Sequence, residues 1–255
     1  MKKIIKYVII DILQHKIIIA YTIFLFLVSS LLLGMESNSL RGIMSLLNIV
    51  LIVIPLVSII FSAIHFYNSY EFIELLLAQP INRTRILLSE YFGVMLSLVF
   101  AFLIGVGVPF FIFSISVSGI SLLITGTILT AVFVSLAFLA SVFTRDKAKG
   151  IGLSLLLWFY FSLIYDGIVL SILYSFNDYP LEKPMLLLVS LNPVDLARVI
   201  MMLQMDISAL MGYTGAIFKE FFGSFIGITL SLLVLLVWVV LPIWWSSRIF
   251  SKKDL

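Results

Sequence analysis

No cysteine occurs in the 255 residues. That removes disulfides, thiolate-held zinc, iron–sulfur clusters and thiol nucleophiles from consideration. Charge is scarce: Asp, Glu, Lys and Arg together make up 11% of the chain, against about 25% in ordinary soluble domains. Two histidines are present, His15 and His65. They lie at opposite ends of segments and make no metal site with the methionines described below. The patterns H-E-x-x-H, G-x-S-x-G and G-x-x-x-x-G-K-[ST] do not occur, and the sparse acids within the apolar runs provide no carboxylate pair. An intramembrane hydrolase therefore has no residues to work with, and the chain carries no phosphate loop for hydrolysing ATP. A net charge of +3 predicts no nucleic-acid partner, because the basic residues stand at the ends of apolar runs and do not form a stripe.

What is there is apolar. Hydrophobic residues reach 62% and the mean hydropathy is +1.23. Since roughly 20 residues are needed to cross about 30 Å of hydrocarbon, the length divides into six spans with no room for a sizeable soluble domain. The runs predict spans at Ile17 to Gly34, Ile43 to Tyr67, Tyr91 to Val117, Ile120 to Phe143, Ile151 to Phe176 and Ser224 to Trp245. The fold class is an all-α membrane protein, one transmembrane domain over residues 1–255. Residues 1–16 read as an interfacial helix: Ile4, Ile5, Val8, Ile9, Ile12 and Leu13 recur at helical spacing, with Lys3, Lys6 and Gln14 opposite. A cleaved signal peptide is the competing reading, and the lack of an A-x-A-like site argues against it. With the N-terminus inside, 12 of the 16 basic residues fall on the cytoplasmic side, and only Arg41, Lys183, Arg198 and Lys219 fall outside. The positive-inside rule thus predicts both termini in the cytoplasm.

Two connections exceed a turn, and these are expected to carry the specific function. The inner one, residues 68–90, contains Pro80, which predicts a short helix over Phe72 to Ala78 ending before it. Asn82 is placed to cap a second helix carrying Arg83 and Arg85. A bent projection with Glu71 and Glu74 on one limb and two arginines on the other suits docking to a soluble partner. A membrane-hugging loop with solvated charges fits the same residues. The outer connection, residues 177–222, contains Asn192-Pro193, a cap and first-turn pair that starts a helix, with Asp195 in its first turn and Gly212 as a stop. Its spacing sets Asp195, Arg198, Met202 and Asp206 in one stripe, expected to be polar or partner-facing. Met201, Met202, Met205 and Met211 cluster here. Thioethers bind Cu(I), but these four do not share a face, and packing or partner contact is the expected role. Asp166 is an acid within a predicted span. It belongs to a translocation path or dimer seam, or is hydrogen-bonded to a tyrosine or backbone amide, or is protonated and silent.

The interfacial helix, six spans and the segment E-x-x-E-L-L-L-A-Q-P-I-N-R-T-R between spans two and three resemble the permease subunits of ABC-2-type ABC transporters over nearly the whole chain. The resemblance implies that Glu71, Glu74, Gln79, Pro80, Asn82, Arg83 and Arg85 form a coupling element against a separate cytoplasmic ATPase, which would bind the ATP and Mg. This chain itself would hold no cofactor. The outer segments N-P-V-D-L-A-R-V and A-L-M-G-Y-T-G-A narrow the resemblance to permeases that serve maturation of nitrous oxide reductase. That implies a second copy of the chain and an extracytoplasmic partner protein, with Asn192, Pro193, Asp195, Arg198, Met202, Gly212, Tyr213 and Gly215 as contact candidates. The implied work is export of a sulfur species, or mechanical work, in assembly of the copper–sulfide centre. An ABC-2 exporter of a drug, lipid or other small molecule is the alternative. A secondary transporter would need an inverted pair of interrupted helices, which is not apparent.

Overall fold

The structure is a computed structural model, and it describes residues 2–35, 39–113, 115–176, 182–204 and 225–252. Among these residues every regular element is a helix. Helix α1 (Lys2–Leu13) precedes α2 (Lys16–Met35) and α3 (Ser39–Asn68); a short α4 (Tyr70–Leu77) follows. Next come α5 (Arg83–Phe102), a π-helical stretch (Leu103–Gly107) and α6 (Val108–Phe113), which together make one span. Helix α7 (Val117–Phe143) is unbroken, whereas the fifth span is α8 (Lys147–Phe159), a second π-helical stretch (Tyr160–Ile164) and α9 (Tyr165–Ser175). Helices α10 (Glu182–Ser190) and α11 (Pro193–Gln204) lead to α12 (Phe225–Lys252). Among the described residues six helical stretches are long and apolar enough to cross a membrane, and α10 with α11 forms a sharply bent apolar pair.

The expected spans are all present, with shifted ends. The third begins at Arg83 and not at Tyr91, because the helix starts directly after Asn82 and carries its charged first turns with it. The sixth continues past Trp245 to Lys252, where the Arg248 guanidinium lies 4.1 Å from the Trp244 ring centroid. Helix α1 buries Val8 and Ile12 and exposes Lys3 and Lys6. It lies on α5 at Gly93, where an added Cβ would stand 2.5 Å from a Val8 methyl. His15 lies between α1 and α2, its Nδ1 accepting from Ile17 N at 3.3 Å.

Helix α7 is the hub. Of its apolar window 72% is buried, against 11% for the fifth span. Its end joins that of α3 through Tyr67, whose hydroxyl lies 2.7 Å from Thr144 Oγ1, and the start of α8 joins α3 through Lys147 Nζ, which donates to Asn68 Oδ1 at 2.7 Å. Asp146 caps α8 by accepting from Lys149 N at 3.0 Å, and that bond holds its carboxyl below the usual carboxylate range. Ile4 of α1 and Pro80 share a pocket, and Phe143 of α7 meets Trp245 of α12. Both ends of the described chain therefore lie at the α4 end of the bundle.

The outer connection is helical, as expected, with α11 starting at Pro193. Helices α10 and α11 bend by 111° about Asn192 and fold back into the bundle. Val194, Leu196, Ala197, Val199, Ile200 and Met201 of α11 are buried, and the bend sits beside Phe161, midway along the fifth span.

Candidate functional site

At the α4 end, the projecting turn is built as the sequence predicts in outline. Helix α4 stops at Leu77, and Gln79 and Pro80 stand exposed beyond it. Glu71 and Glu74 are exposed one turn apart, while Ile73 and Leu76 bury the other face. Asn82 occupies the cap position of α5 with extended backbone, yet its side chain makes no capping bond; its carbonyl instead accepts from Arg85 N at 2.9 Å. That side chain, with Ile4, Pro80, Ile81 and the exposed Arg85, lines an open pocket of about 420 Å³ between the turn and α1. Arg83 is half-buried beside it. All seven expected residues thus share one projection, with both signs of charge facing outward.

Beneath this projection lies a pair that sequence reasoning left apart. Glu90, expected at the edge of a loop, sits two turns into the third span and is 1% exposed. Its Oε2 lies 3.4 Å from Nε2 of His65, which is 10% exposed; Oε1 has no partner. The Ser69 hydroxyl stands 3.2 Å from the same His65 nitrogen. The available signal was the helical register: Glu90 follows Arg83 by seven residues, so both fall on one face of one helix.

In the other half of the molecule Asp166 reaches neither a tyrosine nor a backbone amide. Its Oδ2 accepts from Arg198 Nη1 at 3.0 Å, and the same nitrogen reaches Asp195 Oδ1 at 3.2 Å. Asp166 and Arg198 are about one-third exposed, at 34% and 33%. Asn192 is fully buried: its Nδ2 donates to Phe161 O and to Asp195 Oδ2, both at 2.9 Å, and its Oδ1 accepts from Val194 N at 3.0 Å. The Tyr165 hydroxyl donates to Leu188 O at 2.6 Å. The structure therefore unites two groups of candidates that the sequence kept separate. It also turns Asn192, Pro193 and Asp195 towards the interior and not the outer surface, because a polar stripe at this depth is satisfied only by protein. Met201 is fully buried and Met202 packs against the core. Gly212, Tyr213 and Gly215, with Met205, Asp206 and Met211, lie outside the described residues. Among the described residues no cluster of three His, Asp or Glu is placed to hold a metal.

Six spans, a charged projection at one end and an ion-paired helical hairpin at the other define a multi-pass membrane subunit. The pattern of the ABC-2 family transporter proteins matches residues 3–255, and the chain belongs to that family. It is similar to the probable ABC transporter permease protein NosY of Stutzerimonas stutzeri, 29% identical over 227 residues, which are 82% of this chain and 79% of the relative. It is also similar to the probable ABC transporter permease protein NosY of Pseudomonas aeruginosa, 33% identical over 147 residues, 53% of each chain.

Proposed function

We propose that this ABC-2 permease couples ATP hydrolysis by a separate NosF-like ATPase, which binds the ATP and Mg, to work in maturation of the copper–sulfide centre of nitrous oxide reductase. The observation that carries the coupling role is the exposed projection of Glu71, Glu74, Gln79, Pro80 and Arg85 at the end of the bundle that also gathers most of the lysines and arginines. That end faces the cytoplasm of a bacterium by the positive-inside rule, so both termini are cytoplasmic and the span is of the inner membrane. The permease is not itself catalytic. Its cargo is a sulfur species, or the work is mechanical and acts on an extracytoplasmic NosD-like protein seated over the α10–α11 end. A second copy of the chain covers the fifth span. Only 11% of that span's apolar stretch is buried, and the ion pair of its Asp166 with Arg198 of α11 is one-third exposed at a depth where lipid solvates charge poorly.

The test is to solubilise the protein from its native membrane, isolate it gently and identify its partners by mass. Recovery of an ABC ATPase together with a copper-enzyme maturation protein supports the reading. An ATPase alone reduces it to an ABC-2 exporter of another small molecule, and recovery of neither removes the coupling role. In the isolated complex, Glu74→Ala and Arg85→Ala are each expected to lower coupled ATP hydrolysis about tenfold, the size of a typical coupling energy between sites, with the spans still folded by circular dichroism.

A further inference from the structure

We propose that the buried Glu90–His65 pair is the positioning strut of the coupling element, the point at which movement of the α4–Pro80 projection passes into spans two and three together. The inference rests on the coupling role above and adds the residues that transmit it.

The projection is a loop whose two feet are α3 and α5. A loop pushed at its tip will hinge on its feet unless they are fixed to each other. Here a polar contact joins them, between side chains that are both nine-tenths buried or more, Glu90 Oε2 to His65 Nε2 at 3.4 Å. On the α3 side the chain of bonds continues outward. Ser69 donates its N–H to His65 O at 2.9 Å, its hydroxyl lies 3.2 Å from His65 Nε2, and its own carbonyl accepts from Ile73 N of α4 at 2.9 Å. On the α5 side Glu90 is rigidly joined to Arg83 and Arg85 through two turns of helix, and the Ser89 hydroxyl donates to Arg85 O at 2.7 Å. Force on either limb therefore arrives at the same pair.

Packing alone does not account for it. A buried carboxylate costs several kcal/mol in desolvation, and an apolar pair of the same volume would hold two helices at least as well. Glu90 also leaves Oε1 without a partner. The surroundings limit where the pair can move. Phe61 stacks on His65 with ring centroids 6.1 Å apart, and His15 of the α1–α2 junction meets Phe61 edge-on at 5.7 Å. The interfacial helix is thus linked to the same point.

The test uses the complete complex with its ATPase in lipid discs. The cysteine-free chain allows a spin-label pair to be placed without background at Phe111→Cys and Leu233→Cys, both exposed, on the third and sixth spans. ATP is expected to shift the distance distribution of this pair. In Glu90→Gln and in His65→Gln the displaced population is expected to fall roughly tenfold, while the ATPase still co-purifies and still hydrolyses ATP. The double variant is expected to be no worse than either single one. A shift of full size in both single variants overturns the strut while leaving the docking role intact. Should Glu90→Gln fail to fold, the near-isosteric apolar Glu90→Met takes its place and carries the same two outcomes. No ATP-driven shift in the unsubstituted complex, with no ATPase bound, overturns the coupling role and the strut with it.

Discussion

The third and fifth spans each contain one π-helical stretch, and the two are stabilised in different ways. A π turn inserts a residue and loosens the regular ladder, which in a membrane demands that freed carbonyls find partners elsewhere in the protein. In the third span the partner is a single hydroxyl. Ser29 Oγ of α2 lies 2.7 Å from both Leu25 O and Gly105 O. The helices are drawn so close that a Cβ on Gly105 would stand 2.7 Å from Leu25 Cβ. In the fifth span the partner is a network. Asn192 donates to Phe161 O and holds Asp195, which shares Arg198 with Asp166. The first stretch is a packing joint between two spans. The second fastens a little-buried span to a hairpin, with charges that can exchange partners.

Substitutions should separate the two. The largest loss is expected for Asn192→Leu, which orphans Phe161 O, Val194 N and one oxygen of Asp195. Several buried groups left unpaired cost about 3 kcal/mol, read as a lower midpoint of thermal unfolding in detergent. Next is Gly105→Val, where overpacking against Leu25 costs about 2 kcal/mol, and where the companion Leu25→Ala should restore much of the midpoint. Arg198→Met leaves two carboxylates facing each other. Because the site is one-third open, about 1 kcal/mol is expected, and Asp166→Asn in the same background should recover part of it. The smallest effect belongs to Ser29→Ala, about 0.6 kcal/mol, the mean for a hydrogen bond between membrane helices. If Ser29→Ala equalled Asn192→Leu, the contrast between joint and network would collapse.

Much of the scaffold was legible because lipid imposes a coarse rule. Long apolar runs announced six spans, Pro80 stopped α4 where its missing N–H requires, and Asn192-Pro193 began α11 as a cap and first-turn residue do. Helical spacing brings Asp195 and Arg198 together, and Arg198 Nη1 reaches Asp195 Oδ1 at 3.2 Å; Asp206 of the same stripe lies outside the described residues. Asp195 turns into the protein, as a polar group does where lipid offers it no partner. Neither π stretch could be read, since a span apolar on every side has no periodic phase from which an inserted residue would be noticed. The pairing of Asp166 with Arg198 crosses 32 residues and a folded-back hairpin, and nothing local foretells it. Glu90 was hidden by being charged: its polarity placed it in a loop, while its helix carried it inside.

The 111° bend between α10 and α11 also has a counting consequence. A hairpin that enters and leaves by one face adds nothing to the parity of crossings, so the chain keeps an even number and Lys2 and Lys252 stay on the same side. Insertions or deletions between Ser175 and Phe225 can then alter what the far face presents without inverting anything that follows, whereas straightening the bend into a seventh crossing would carry the last turn of α12 to the opposite compartment.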